Sequence, residues 1–431
     1  MKNPPLAGRR ICKIDVKAAK KHAERLFRRV RDIRTEPAEE DCALASLIIE
    51  CSMTYTPLQD ALRAQPGNQA QPLPLADYRG AMTAARFTDP QVEFAALLNA
   101  CGIYDLDFRA RISLTGGDRV RWLNGMVTNN IRELAAGRGV YAFLLNPQGR
   151  ILGDMFVYNL GETLVVETDR SQVEEIVATF DHYIIMDDVE VTNVSEQQTA
   201  LGLAGPKSPA ILNAAGIEVP ELRPLQMITP QCTCECGCAK CTVVRGEDGQ
   251  ESYEIWLAPQ DVYKTWQALI AAGATPVGSE ALEMQRIVAG IPLYGVDIRE
   301  RDLPQETEQM RALNFNKGCY VGQEIVERIR SRGNVHRKFT GFLAEGAGTI
   351  AAGAKIIGKS AEGEKEVGEI TSVAVLGTPA GERTVALGYI RREAGVPGRE
   401  VTIGAAKATV IQLPLESFAP GPAENALLHQ M

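Results

Sequence analysis

Lys317-Gly318-Cys319-Tyr320-Val321-Gly322-Gln323-Glu324 is the most specific stretch of this chain. It sets one cysteine between two glycines, which let the backbone turn tightly around it. Lys317, Arg328, Arg330, Arg332, His336, Arg337 and Lys338 make the neighbourhood basic, and positive charge lowers a thiol pKa. Cys319 therefore reads as a reactive thiol, a nucleophile or soft-metal ligand, rather than the small buried hydrophobe that a free cysteine usually is. Gln323 and Glu324 read as supports of the loop. Downstream of Gly333, helical periodicity stops. Short strands at 338–343, 367–372, 384–390, 400–403 and 408–413 alternate with turns and read as a small barrel or sandwich.

Upstream, residues 58–64 and 91–99 read as helices, the second opened by Asp89-Pro90. Residues 103–114 alternate like a single strand, and Gly116-Gly117-Asp118 opens a helix through Val127. Strands follow at 141–145, 151–158 and 163–168, with Asn146-Pro147-Gln148-Gly149 as a hairpin turn. A helix at 171–180 and a strand at 189–194 complete this part. Hairpins and helices without strict βαβ alternation argue α+β. Neither G-x-G-x-x-G nor G-x-x-x-x-G-K-[ST] occurs, so neither a Rossmann nor a Walker phosphate loop is supported.

The 431 residues carry a net charge of −8, with 45% apolar and 23% charged residues. That is ordinary globular composition for two or three domains. No apolar run is long enough for a transmembrane helix, and residues 1–35 hold no secretory h-region, so the cytoplasm is the expected location. Residues 1–34 carry twelve Lys/Arg against Asp15, Glu24 and Asp32. Residues 1–52 read as a basic N-terminal extension, with Met53 as an alternative native start, and 414–431 as a loose tail.

The octapeptide closely resembles the K-G-C-[FY]-x-G-Q-E signature of the YgfZ family. These are folate-binding relatives of the glycine cleavage T-protein that act in iron–sulfur cluster maturation or repair. Asn314-Phe315-Asn316 and Glu327-Arg328 fit the same family. Gly149-Arg150-Ile151-Leu152-Gly153-Asp154-Met155-Phe156-Val157-Tyr158 is similar to the T-protein segment G-G-x-x-D-D-x-x-V-Y. Asp154 falls on its second, catalytic aspartate, and Gly153 replaces the first. Gly246-Glu247-Asp248-Gly249-Gln250-Glu251-Ser252-Tyr253-Glu254-Ile255 is similar to G-E-D-G-[FY]-E-[IV], which puts Glu254 on the pterin-binding glutamate. Arg286, in Leu282-x-x-x-Arg286-x-x-x-Gly290-Ile291-Pro292, matches a folate-contacting arginine. Two departures stand out. Glu167 occupies the place of a family asparagine, and Val244-Arg245 replaces the tyrosine of G-Y-T-G. Together with the octapeptide they favour the maturation branch.

The resemblance implies an α+β, T-protein-like folate-binding fold of three subdomains around a central hole, with a C-terminal β-barrel. Residues 53–332 would form the folate-binding part and 333–413 the barrel. Tetrahydrofolate, or a one-carbon derivative, is the implied cofactor. Folate and iron–sulfur assembly or client proteins are the implied partners. Nucleic acid is not expected, because no aromatics interleave the basic run 328–338, and neither is a membrane span. Glu254 can accept two parallel hydrogen bonds from a pterin edge, and Arg286 can offer its planar fork. Glu167, Lys317 and Gln323 complete the ligand-binding candidates. Asp154, in an otherwise apolar strand, has the raised pKa expected of a buried proton acceptor, and with Cys319 it is a catalytic candidate. Three functions follow. The first is a tetrahydrofolate-binding protein that assists iron–sulfur cluster assembly or repair through the Cys319 thiol. The others are an aminomethyltransferase and a non-enzymatic adaptor with a decayed folate site.

The remaining cysteines read differently. Cys101, beside Gly102, reads as a small buried residue. Cys232, Cys234, Cys236 and Cys238 alternate within a cysteine-rich insert at 228–242. On a strand their thiols would stand about 6.5–7 Å apart, too far for one tetrahedral zinc. Cys238-x-x-Cys241 has the spacing usual for metal ligands and is the candidate metal pair, beside a redox-labile loop and no function at all.

Overall fold

In the computed structural model, the first helix among the described residues begins on a side-chain cap. Thr56 Oγ1 accepts the Gln59 amide at 3.2 Å, and Pro57 presets the first turn of α1 (Pro57–Arg63). The structure describes residues 55–65, 73–230, 241–247, 251–333, 335–345, 350–360, 363–378 and 381–415. The basic extension, most of the cysteine-rich insert and the tail beyond 415 lie outside the described residues. A short hairpin, β1 (Leu75–Tyr78) and β2 (Ala81–Ala84), turns at Arg79-Gly80. Asp89 then caps α2 (Pro90–Asn99), with Pro90 in the first turn.

The alternation across 103–114 is two strands, not one. β3 (Gly102–Asp105) and β4 (Arg109–Thr115) belong to different sheets. Between them the Asp105 carboxylate accepts from the Asp107 amide at 3.1 Å and from the Thr56 hydroxyl, while the Leu106 amide bonds Ala200 O. These bonds form a buried corner. Apolar alternation runs through such a corner uninterrupted, so it does not mark the break.

α3 (Arg119–Met126) leads into β5 (Arg138–Leu145), β6 (Ile151–Asn159) and β7 (Leu164–Asp169), then α4 (Val173–Tyr183) and β8 (Glu190–Asn193). The strands form a five-stranded antiparallel sheet ordered β5-β6-β7-β4-β8. Its core joins Ile112, Met155, Val157 and Val166 to Leu123 of α3 and Ile176 and Phe180 of α4.

The next stretch is β9 (Thr199–Ala204), α5 (Ser208–Ala214), β10 (Met227–Ile228), β11 (Thr242–Arg245), β12 (Ser252–Leu257), α6 (Val262–Ala271) and β13 (Thr275–Pro276). A six-stranded sheet ordered β10-β11-β12-β9-β3-β13 results, with β13 parallel to β3. Cys101 and Cys241 are both buried in its apolar core with Leu201, Val243, Ile255 and Trp266.

α7 (Ser279–Ala289) and α8 (Gln323–Arg332) precede the barrel. Six strands close it: β14 (Arg337–Glu345), β15 (Lys355–Ser360), β16 (Gly363–Thr378), β17 (Gly381–Arg391), β18 (Glu400–Ile403) and β19 (Ala406–Ile411). The sequence reading counts five of these. β15 escapes it because Lys355-Ile356-Ile357-Gly358-Lys359-Ser360 places two apolar residues side by side instead of alternating them. A register shift between Ile370 and Ser372 bends β16, which pairs with both β15 and β17. Phe342, Ile356, Ile370, Ala386, Ile390 and Val410 fill the interior. Among the described residues, no helix is long and apolar enough to cross a membrane.

Candidate functional site

The two sheets, the β1–β2 hairpin and α7 meet around a cavity of about 200 Å3. Strand alternation aims the side chains. On β6, Asp154 and Phe156 share the cavity face, while Met155 and Val157 turn to the core under α3 and α4. Tyr141 of β5 pairs with Phe156, so its hydroxyl reaches along the same face to donate to Asp154 Oδ2 at 2.7 Å. On β12, Glu254 stands opposite Gly202 of β9, and Gly202 is also the partner of Tyr104 on β3. The Tyr104 ring lies over Gly202 so closely that a Cβ there would sit 2.1 Å from it. Glycine at 202 thus lets Tyr104 and Glu254 occupy neighbouring parts of one wall.

Asp154 is half-buried and firmly held. Gln172, where the chain enters α4, donates Nε2 to Asp154 Oδ1 at 2.8 Å and accepts the Asp154 amide at 3.1 Å. Burial raises the Asp154 pKa and the nearby Asp169 raises it further, while Arg109 works the other way. Glu254 accepts from Trp256 Nε1 at 2.8 Å. Burial, followed by repulsion from Glu167, pushes the Glu254 carboxyl up to about 8. Both acids are therefore biased toward the protonated form, and both line the cavity.

Arg286 also lines the cavity, but its fork is occupied by the protein. Nε bonds both Glu283 oxygens at 3.0 Å, Nη1 bonds Ile291 O and Asp297 Oδ2, and Nη2 bonds Glu283 Oε2 and Ser372 Oγ. It ties α7 to the barrel strand β16, which corrects the reading of an open fork offered to a ligand. Glu167 is absent from the cavity wall. It is fully buried in β7, where Oε1 takes Arg111 Nη2 at 2.7 Å. Its expected direct contact is replaced by an electrostatic effect on Glu254.

The octapeptide lies apart from the cavity lining. The Lys317 ammonium turns inward and donates to the carbonyls of Asn124, Val127 and Asn129 at 2.5–2.7 Å. Burial draws it down to about 7, against three acceptors that favour the charged form. Gln323, at the start of α8, accepts the Tyr320 amide at 3.2 Å and so braces the loop. Cys319 is exposed. Three of the basic residues read as its surroundings have other partners: Arg328 pairs with Glu324, Arg330 with Glu327, and Arg337 with Asp302 and Glu306. Part of the positive charge expected to act on the thiol is thus taken up by these carboxylates.

Of the candidate metal pair, Cys238 lies outside the described residues and Cys241 is buried in the second sheet's core. Among the described residues, no group of three or more His, Cys, Asp or Glu is placed to hold a metal.

The structure adds residues that sequence reasoning missed. Arg79, at the hairpin tip, has a left-handed φ of 55° and lines the cavity over the rings of Tyr78 and Phe108. Its ion pairs with Asp169 and Glu283 are long, 3.6 and 3.7 Å, and its Nε is buried without a partner. Arg311 covers the Tyr141 ring at 4.6 Å and pairs with Glu247. The only sequence signal was Arg79-Gly80 itself, a turn dipeptide. Gln172 and Arg311 carry no local signature at all.

Known proteins resemble this chain in sequence and fold. The family model of the GCVT N-terminal domain matches residues 67–317. An aminomethyltransferase of Halothermothrix orenii is 27% identical over 339 residues, covering 76% of this chain and 91% of that protein. One from Thermus thermophilus is 26% identical, covering 79% of this chain and 94% of the relative. The crystal structure of the glycine cleavage system aminomethyltransferase T from Bartonella henselae superposes with a TM-score of 0.72. It covers 84% of this chain and 98% of its own at 22% identity, a likeness of fold.

Proposed function

This chain belongs to the GCVT family, and from that premise we propose that it binds tetrahydrofolate, or a one-carbon derivative, between Asp154 and Glu254. We further propose that it assists iron–sulfur cluster assembly or repair in the cytoplasm through Cys319, as a YgfZ-type member. Residues 53–332 are then the ligand-binding part and 333–413 the barrel domain. The observation that carries the ligand is the meeting of Asp154 and Glu254, from two different sheets, in one cavity walled by Tyr78, Tyr104, Phe108 and Phe156. A flat heteroaromatic with hydrogen-bonding edges suits such a wall, since rings offer apolar faces and carboxyls bond its edge.

When bound, tetrahydrofolate supplies nitrogens that carry a one-carbon unit. The chain's own groups do the rest. Glu254 takes ligand N–H donors best as a carboxylate, so binding draws its proton off. Asp154, clasped by Tyr141 and Gln172, holds or accepts a proton at a fixed place. Arg79 faces the cavity with a long-range ion-pair set that a ligand anion can join. The exposed Cys319 is reachable by a protein partner without passing through the cavity.

Calorimetry with tetrahydrofolate tests the ligand: Glu254→Ala is expected to weaken binding roughly tenfold or more. No binding by the wild type would instead support the adaptor reading. Rescue of iron–sulfur enzyme activities in a deletion strain tests the thiol. Wild type restores them and Cys319→Ala does not; equal rescue would falsify the role of Cys319.

A second reading, transfer of a one-carbon unit to tetrahydrofolate, is favoured by one observation. Asp154 has a raised proton affinity and stands on the cavity face. It predicts turnover with an aminomethyl-lipoyl carrier that survives Cys319→Ala.

A further inference from the structure

A separate cavity of about 480 Å3 opens between the barrel strands β15–β17 and residues 297–302. Its wall carries six cations, Arg299, Arg301, Arg337, Lys355, Lys365 and Arg391, against four acids, Asp297, Asp302, Glu366 and Glu369, and their pairing is uneven. Arg337 holds Asp302 and Glu306, and Lys355 holds Glu366 and Glu369. Arg301 is left 4.0 Å from an Asp302 oxygen that Arg337 already takes at 2.6 Å. Lys365 and Arg391 line the same cavity and make no ion pair among the described residues.

A second observation is independent of this charge. Tyr389, on β17, also lines the cavity and is 5% exposed, and its hydroxyl has no hydrogen-bond partner. A buried hydroxyl normally has a partner, so one left without it in a cavity wall marks a place for a ligand oxygen. Arg337 lies over the Tyr389 ring at 4.6 Å, its charge set against its partners Asp302 and Glu306, so the charge for an anion has to come from Arg301, Lys365 and Arg391.

We propose that this cavity binds the phosphate group of a small molecule, with Arg301, Lys365 and Arg391 supplying charge and the Tyr389 hydroxyl donating to a phosphate oxygen. Guanidinium forks match the geometry of phosphate oxygens, and the cavity is of small-ligand size. The site is distinct from the one between Asp154 and Glu254 and does not depend on what that one binds.

The test is calorimetric titration of the full chain with inorganic phosphate and with pyrophosphate in a chloride buffer. Saturable binding is expected for at least one. Tighter binding of pyrophosphate assigns the pocket to a diphosphate, and tighter binding of phosphate assigns it to a monophosphate. The Lys365→Gln/Arg391→Gln variant, changed only at exposed positions, should weaken it about tenfold or more. Tyr389→Phe should weaken it severalfold, and the tetrahydrofolate affinity of the double variant should match wild type. Absence of saturable binding to both anions, or equal binding by the double variant, overturns the proposal.

Discussion

Asp154 and Glu254 are half-buried carboxylates on the wall of one cavity, brought there by two separate sheets. Cys319 is an exposed thiol on a single loop, and its neighbour Lys317 sends its ammonium into the protein. In the first region burial moves proton affinities: Asp154 is raised, and Glu254 reaches about 8. In the second, burial is spent on structure, because Lys317 satisfies three carbonyl oxygens at once. The more specific sequence motif thus builds a braced, solvent-facing loop, while the less conspicuous segments build the electrostatically perturbed site.

The largest effect that separates the regions is at Lys317. Lys317→Ala leaves buried carbonyls without donors and should cost about 3 kcal/mol, measured by urea denaturation. A cost near zero would return Lys317 to the list of ligand contacts.

Glu254→Gln acts in the opposite sense. The folded carboxyl, at about 8, lies above its ordinary 4.5, so wild type loses stability as pH rises through that window. The glutamine variant loses nothing there, so its advantage should be small at pH 5 and grow to about 2 kcal/mol at pH 8. The same group makes tetrahydrofolate affinity fall below pH 8, with proton uptake by the buffer in calorimetry. A flat pH profile would break the link between burial and ligand binding.

Gln172→Ala frees Asp154 from a two-point clasp and should cost about 1–2 kcal/mol. Its distinguishing readout is a shifted pH profile of ligand binding, which loss of packing alone would not produce. Smallest is Cys319→Ser, which should stay within about 0.5 kcal/mol of wild type, since the side chain is exposed. A large loss of stability there would show the two regions to be less different than they look.

Much of the fold could be read locally. The helix start at Asp89-Pro90, the hairpin turn at Asn146-Pro147-Gln148-Gly149 and most barrel strands announce themselves in short windows. The corner at Asp105–Phe108 did not, because its bonds run to Thr56 and Ala200, far along the chain. Of the cavity, Asp154, Glu254 and Arg286 came from motif segments. Gln172, Arg79 and Arg311 did not, because each matters only through a partner it meets in space.

The sequence alone determined the α+β character and the strand-rich C-terminal part, since the spacing of apolar, glycine and capping residues governs local hydrogen bonding and burial, and its resemblance to family motifs pointed to the residues worth examining. Tertiary structure decided what those residues do. It closed Arg286 into a clamp, hid Glu167 behind the wall, turned Lys317 inward and brought Asp154 within one cavity of Glu254. The reason is that desolvation and ion pairing depend on distances between segments a hundred residues apart, and no local pattern records them.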